Sequence, residues 1–254
     1  MNGLANALAD LTAELDVWQA AGTVASVWLR DDDAVAPSPA LDRLLAISDD
    51  FACPALIAVI PLPATAALAD RLAGSANVTV CQHGYRHENH APANVKKTEL
   101  FDTGPARSVD HVLDELRQGR ERLSQLFAQH LEPILVPPWN RMSNAVAARV
   151  HEAGFAALSG FGWKRFPSPL PQVNTHVDLI DWRGDRHGKT AEVVAAETAA
   201  ALQTARQTGQ HHIGLLTHHL VHDETAWASL VSLLEALARH PAGRFASAPQ
   251  LLQK

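Results

Sequence analysis

The sequence predicts an α/β fold built on parallel strands, a (β/α) barrel, and three observations carry that prediction. Short apolar runs alternate with helical stretches along the chain. About eight strand signals fall within 254 residues, a density that suits one barrel. The strands are apolar throughout rather than alternately polar, as a sheet covered on both faces requires. A doubly wound open sheet is the other reading of the same pattern. With 47% hydrophobic and 19% charged residues the chain has enough apolar material for a sizeable core. No repeat, low-complexity tract or linker interrupts the pattern, so the expectation is a single domain over residues 1–254, its first 22 residues an N-terminal helix.

The elements follow in order. Leu4, Leu8, Leu11, Leu15 and Trp18 recur at three- and four-residue spacing, the mark of an amphipathic helix. Asp10, Glu14 and Asp16 lie among them and no basic segment leads, which argues against a signal peptide. No apolar run is long enough to span a bilayer. A strand is expected at 23–29, a helix at 40–48, a buried strand at 55–60 and a helix at 64–72. The strand at 78–81 leads into a polar loop from His83 to about Arg107, then a helix at 109–130. Residues 133–136 form a strand ending on Pro137-Pro138, and the helix at 144–153 is closed by Gly154. Further strands are expected at 155–159, 173–180 and 212–217, with helices at 190–207 and 224–240. A net charge of −6 gives no basic face for nucleic acid or an anionic membrane. Two cysteines, Cys53 and Cys81, make no disulfide framework and fit a reducing compartment, so a cytoplasmic protein is expected.

In parallel α/β folds, chemistry sits at the carboxyl ends of strands. Arg30-Asp31-Asp32-Asp33 follows the first strand, His83 and His87 the third, and Pro137-Pro138-Trp139-Asn140-Arg141 the strand at 133–136. Asp178, Asp181 and Trp182 end the strand at 173–180, and Thr217-His218-His219 closes the strand at 212–217. Each cluster alone has an ordinary structural reading: an acidic turn, exposed histidines, a stiff proline terminator, a packed indole, a buried histidine. Together they share one topological position. His83-x-x-x-His87 is the spacing that sets two imidazoles on one face of a helical turn, within reach of one metal. An aspartate and two histidines leave an open metal position, with a second aspartate and a third histidine as acid and base candidates.

RDDDA (30–34), HGYRH (83–87), VPPWNR (136–141), VDLIDW (177–182) and LTH (216–218) resemble, in order, the motifs of the NodB-homology polysaccharide deacetylases, carbohydrate esterase family 4. The resemblance implies a distorted (β/α) barrel of about seven parallel strands. It implies a metal-dependent hydrolase that removes acetyl from an N- or O-acetylated sugar or a related amide. One divalent ion, zinc ahead of cobalt, nickel or manganese, would be held by Asp33, His83 and His87. Asp32 would be the general base, His218 the acid, Asp181 the residue that orients His218, and the Trp139 N–H an oxyanion donor. A register shifted back by one, with Asp31 and Asp32 as base and ligand, is the alternative; Asp33-Ala34 matches the family's Asp-Gly better. The chain departs from the family at Val136, where the third motif has arginine, and Arg30 or Arg141 would have to replace it. Arg30, Arg141, Trp182 and His90 are the candidate substrate-binding residues, with loop 88–107 and its Lys96 and Lys97 shaping the pocket. The expected partner is a small or lipid-linked acetylated carbohydrate, with no nucleic acid and no transmembrane segment. Two other readings stand beside this one: a non-catalytic carbohydrate- or metal-binding protein on the same barrel, which Val136 favours, and a different metal-dependent hydrolase of C–N or phosphoester bonds. The oligomeric state is not legible in the sequence.

Overall fold

The computed structural model describes residues 2–183 and 186–253. In chain order the elements are α1 (Asn2–Ala20), β1 (Ala25–Ala34), α2 (Pro39–Asp50), β2 (Ala55–Val59), α3 (Ala66–Ala73), β3 (Val78–His83) and α4 (Val109–Phe127). They continue as β4 (Leu131–Val136), α5 (Asn144–Arg149), β5 (Ala157–Leu158), β6 (Val177–Asp178), β7 (Ile180–Asp181), β8 (His187–Gly188) and α6 (Ala191–Gln207). The chain ends with β9 (His212–Thr217), α7 (Glu224–Arg239), β10 (Gly243–Phe245) and α8 (Ala248–Leu252). This is the expected α/β fold, with seven parallel strands carrying its main sheet. Helix starts are set by side chains that accept an otherwise orphaned N–H. Ser38 accepts from Leu41, Ser108 from His111, Ser143 from Val146 and Asp223 from Ala226, at 3.1, 3.2, 3.2 and 2.8 Å. Such a cap contributes about 1 kcal/mol.

The chain divides into two compact units. The first comprises Met1–Asp31, Ser38–Ala55 and Thr175–Leu251. In it β1 pairs in parallel with β10 and β9, and β9 with β6. Helix α1 lies along α6, buries Leu11, Leu15 and Trp18, and is tied by Arg206, which donates to both carboxylate oxygens of Glu14 at 2.8 and 3.0 Å. The second unit comprises Asp32–Pro37, Leu56–Asn174 and Leu252–Lys254. Here β2, β3, β4 and β5 stand in chain order, β4 parallel to both β3 and β5. Leu113 and Leu116 of α4, Val146 of α5, Val150, Leu135 and Leu158 fill one buried cluster. Full burial of each such side chain is worth roughly 1.5–3 kcal/mol.

Three sequence expectations need correction. The acidic run does not follow β1 but forms its last turn of pleat: Arg30 and Asp31 pair in register with Leu216 and Thr217. The strand expected at 173–180 is broken. The Asp178 carboxylate accepts the Ile180 N–H at 2.9 Å, and beyond Leu179 the chain turns into a small antiparallel hairpin of β7 and β8. A side chain that offers the backbone a local acceptor competes with the sheet in this way. Finally, β10 and α8 lie where no element was expected, because the short stretch after 240 carries no apolar period.

Candidate functional site

In the second unit the strand ends bring three side chains together. Asp33 Oδ1 lies 3.1 Å from His83 Nε2 and 3.3 Å from His87 Nε2, so one carboxylate oxygen faces both imidazoles. All three candidate ligand atoms fall within 4.8 Å of one another. His83 ends β3 and is 2% exposed; its Nδ1 donates to the Val136 carbonyl at 3.0 Å. That bond fixes the tautomer and leaves Nε2 as a lone-pair donor toward Asp33 and His87. Asp33 and His87 both stand at positive φ, 76° and 62°. Aspartate visits this region at modest cost, whereas a His there must be held by its surroundings. The two histidines therefore meet without a helical turn: residues 84–87 are loop, which corrects the helical geometry expected from their spacing.

Donor spacings of 3.1 and 3.3 Å match the edge of a tetrahedron around zinc, about 3.3 Å for bonds of about 2.0 Å. Two imidazole nitrogens and one carboxylate oxygen suit zinc and neighbouring divalent ions. Burial, and then the nearby His83, hold the His87 imidazole below its ordinary value, which favours the neutral form that can coordinate. Among the three aspartates, Asp33 is the one grouped with the histidines. Asp32 is buried and acts on His87 through its charge. Trp139 stands at φ 54° in a short turn after Pro137 and packs its ring 4.4 Å from that of His87. The backbone below this cluster is gripped by Glu99, which accepts N–H bonds from Tyr85, Arg86 and His87 at 3.2, 2.6 and 3.1 Å.

The first unit carries the remaining motifs. Asp31 is fully buried; Oδ2 accepts from Thr217 Oγ1 at 2.8 Å and from the His219 N–H at 2.9 Å, and Oδ1 lies 2.5 Å from His219 Nδ1. Burial pushes the Asp31 carboxyl up, but His219 and Thr217 together bring it below the ordinary value. His218, between those two partners, meets the Trp182 ring edge-on at 4.7 Å. The Trp182 indole N–H donates to Asp178 Oδ2 at 2.7 Å. Burial pushes the Asp178 carboxyl up, and the first opposing influence is His218. The Asp178 carboxyl thus has His218 among its electrostatic neighbours. The Asp181 side chain instead accepts the Arg183 N–H at 2.9 Å, a local turn bond.

The candidate substrate-binding residues separate. Trp182 is 43% exposed beside His218. Arg30 has no exposed surface and belongs to the interior. Arg141 donates to the Lys97 carbonyl at 3.3 Å and so braces the 88–107 loop. His90 is half-buried on that loop, its N–H bonded to the Thr98 carbonyl at 3.1 Å; burial and then Arg107 push its imidazole down. Sequence reasoning placed Asp178 at a strand end without its Trp182 partner, and missed Glu99 and the Asp31–His219 pair. The pair had a visible signal, an extra acid in the run and a second histidine after His218; Glu99 had none.

No protein-family model and no curated protein matches the chain. Solved structures do. A protein from Mycobacterium smegmatis, provisionally described as a polysaccharide deacetylase, superposes with a TM-score of 0.69 at 18% identity, over 91% of this chain and 90% of its own. The chain has the polysaccharide-deacetylase fold. A family 4 acetyl xylan esterase from Clostridium thermocellum, in complex with a cobalt ion, matches with a TM-score of 0.56 at 16% identity, over 89% of this chain and 90% of its own. A CE4-family pseudoenzyme from Bacillus anthracis matches at 0.58 and 16% identity, over 90% of this chain and 66% of its own. The fold agrees with the distorted barrel expected from the motifs. No described helix is long and apolar enough to cross a membrane.

Proposed function

We propose that this chain is a divergent member of the polysaccharide-deacetylase family, a metal-dependent hydrolase that removes an acetyl group from an acetylated sugar or related amide. The observation that carries this reading is the convergence of Asp33, His83 and His87 at strand ends in the deacetylase fold. Those three residues would hold the ion, with Asp33 rather than Asp32 as the carboxylate ligand. Zinc is the first choice, and cobalt, nickel and manganese fit the same donors. Bound there, a divalent ion supplies a Lewis acid for the acetyl carbonyl and lowers the pKa of water. Asp32 takes the proton from the attacking water, and the Trp139 N–H donates to the developing oxyanion. His218 gives a proton to the departing amine or alcohol, and Asp178 opposite Trp182 steadies the imidazolium that it must first be. Trp182 lines the sugar site as an exposed aromatic surface.

The test is acetate release by the purified chain from a panel of N- and O-acetylated sugars, small, lipid-linked and polymeric, before and after chelation. Activity that is lost with the metal, restored by zinc or cobalt, and reduced on the order of 10²-fold or more in Asp32→Asn is expected. Stoichiometric metal with no acetate from any substrate would favour the second reading, a non-catalytic binder. Val136 supports that alternative: it stands where the family places arginine, and its buried side chain brings no charge near the base. That a CE4-family pseudoenzyme has a similar fold supports this alternative further.

A further inference from the structure

If Asp33, His83 and His87 bind a metal, something must hold His87 in place, because no helix does. Residues 84–87 leave β3 as loop, with Gly84 at φ 57° and His87 at φ 62°. A left-handed His costs of order 1–2 kcal/mol unless its surroundings fix it. Gly84 cannot carry a side chain here: a Cβ would meet Glu99 Oε2 at 2.0 Å and Pro138 Cγ at 2.4 Å. The three amides that follow, Tyr85, Arg86 and His87, converge on the two oxygens of Glu99 at 3.2, 2.6 and 3.1 Å. Successive N–H groups turned to one side form a concavity for an anion. Here the anion is a side chain of the same chain, 1% exposed and supplied from a loop residue twelve positions after His87.

That loop is itself fastened. The Thr98 N–H donates to Asn89 Oδ1 at 2.9 Å, and the Thr98 carbonyl accepts from the His90 N–H at 3.1 Å. Arg107 Nη2 donates to the Glu99 carbonyl at 3.2 Å and pairs with Glu115 of α4 at 2.6 Å.

We propose that Glu99 is the positioning residue of the metal centre: its carboxylate shapes the 84–87 turn and so sets His87 Nε2 beside His83 Nε2 and Asp33 Oδ1. The inference rests on reading that triad as a metal site. Loop 88–107 is then a brace for a ligand, with Glu99 as its working end. Residues that orient ligands from behind typically change metal affinity 10–100-fold when removed.

The test uses the full chain stripped of metal and titrated with cobalt(II) and with zinc against a chromophoric chelator. The wild type is expected to take up one ion, Glu99→Ala to bind roughly 10–100-fold more weakly with an altered cobalt absorption band, and Glu99→Gln to fall between them. Glu99→Gln keeps an acceptor oxygen without the charge, so it also guards against a variant that fails to fold. In the metal-free state, amide exchange at Tyr85, Arg86 and His87 should accelerate in Glu99→Gln while α4 amides stay protected. Wild-type affinity and spectrum in both variants, or unchanged protection of the three amides, would overturn the role of Glu99 and leave the metal reading intact. A wild-type chain that takes up no ion would instead overturn the metal reading itself.

Discussion

At the scale of single residues, two aspartates three positions apart stand in different surroundings, and the buried one is our candidate to steady His218. Asp181 precedes Trp182 directly and so matches the family pattern, yet its carboxylate is spent on the Arg183 N–H. Asp178 is buried, accepts from the Trp182 indole N–H, and has His218 among its electrostatic neighbours. A buried carboxylate stabilises an imidazolium far more than an exposed one, because less water screens it. Asp178→Asn should therefore lower kcat on the order of 10²-fold with little change in KM, whereas Asp181→Asn should stay within a few-fold. Steady-state kinetics on the two variants decide it, and equal losses would return the role to Asp181. Motif matching finds residue types in order; which carboxylate turns inward depends on the strand breaking after Leu179, which no local pattern announces. Glu99 is a sharper case, since one glutamate in a polar loop gives no sign that it closes on a turn twelve residues earlier.

At the scale of elements, most of the architecture was legible because parallel strands announce themselves as apolar runs. The strand expected at 212–217 is β9 to the residue, and the helix expected at 109–130 continues from α4 into a short 3-10 turn. What misled was polarity: the strand expected to end at Leu29 runs five residues further, to Ala34, through charged residues. Strands tolerate such side chains only when partners satisfy them. Asp31 shows the device, since its carboxylate takes Thr217 Oγ1, the His219 N–H and the His219 ring, locking β1 to the end of β9 on both sides of His218. Asp31→Ala would strand the buried His219 N–H and ring Nδ1, while Thr217 Oγ1 keeps the Arg30 carbonyl, and should cost about 3–5 kcal/mol in urea unfolding. Asp31→Asn should cost less, because an acceptor oxygen survives. Both variants should still bind metal, as the grouped carboxylate is Asp33. A loss below about 1 kcal/mol for the alanine variant would mean that this pair does not hold the strand ends together.

At the scale of the molecule, burial of particular histidines among the fourteen ties stability to acid. Two in the first unit carry the clearest signal: burial, ahead of neighbouring charges, pushes both His176 and His222 down to about 4. His176 Nδ1 accepts the Gly214 N–H at 3.1 Å, and His222 Nε2 accepts the His218 N–H at 3.4 Å, so both are used in the folded state as neutral acceptors. In the unfolded chain each titrates near 6.5. Between about pH 6.5 and 4 the unfolded state therefore binds a proton at each site that the folded state refuses, and stability must rise with pH across that window. Above it both states are neutral there and these residues leave no slope. Acidification from pH 7 to 4 should remove roughly 2–3 kcal/mol per histidine, read as a falling urea midpoint with an unchanged m-value. His176→Asn and His222→Gln keep an acceptor near the same position but remove the titration. Each should flatten that fall, and the double variant should flatten it further, since the two sites bond different amides, Gly214 within β9 and His218 just after it, and their effects should nearly add. A midpoint that drops as steeply in the double variant as in the wild type would assign the acid sensitivity to other groups.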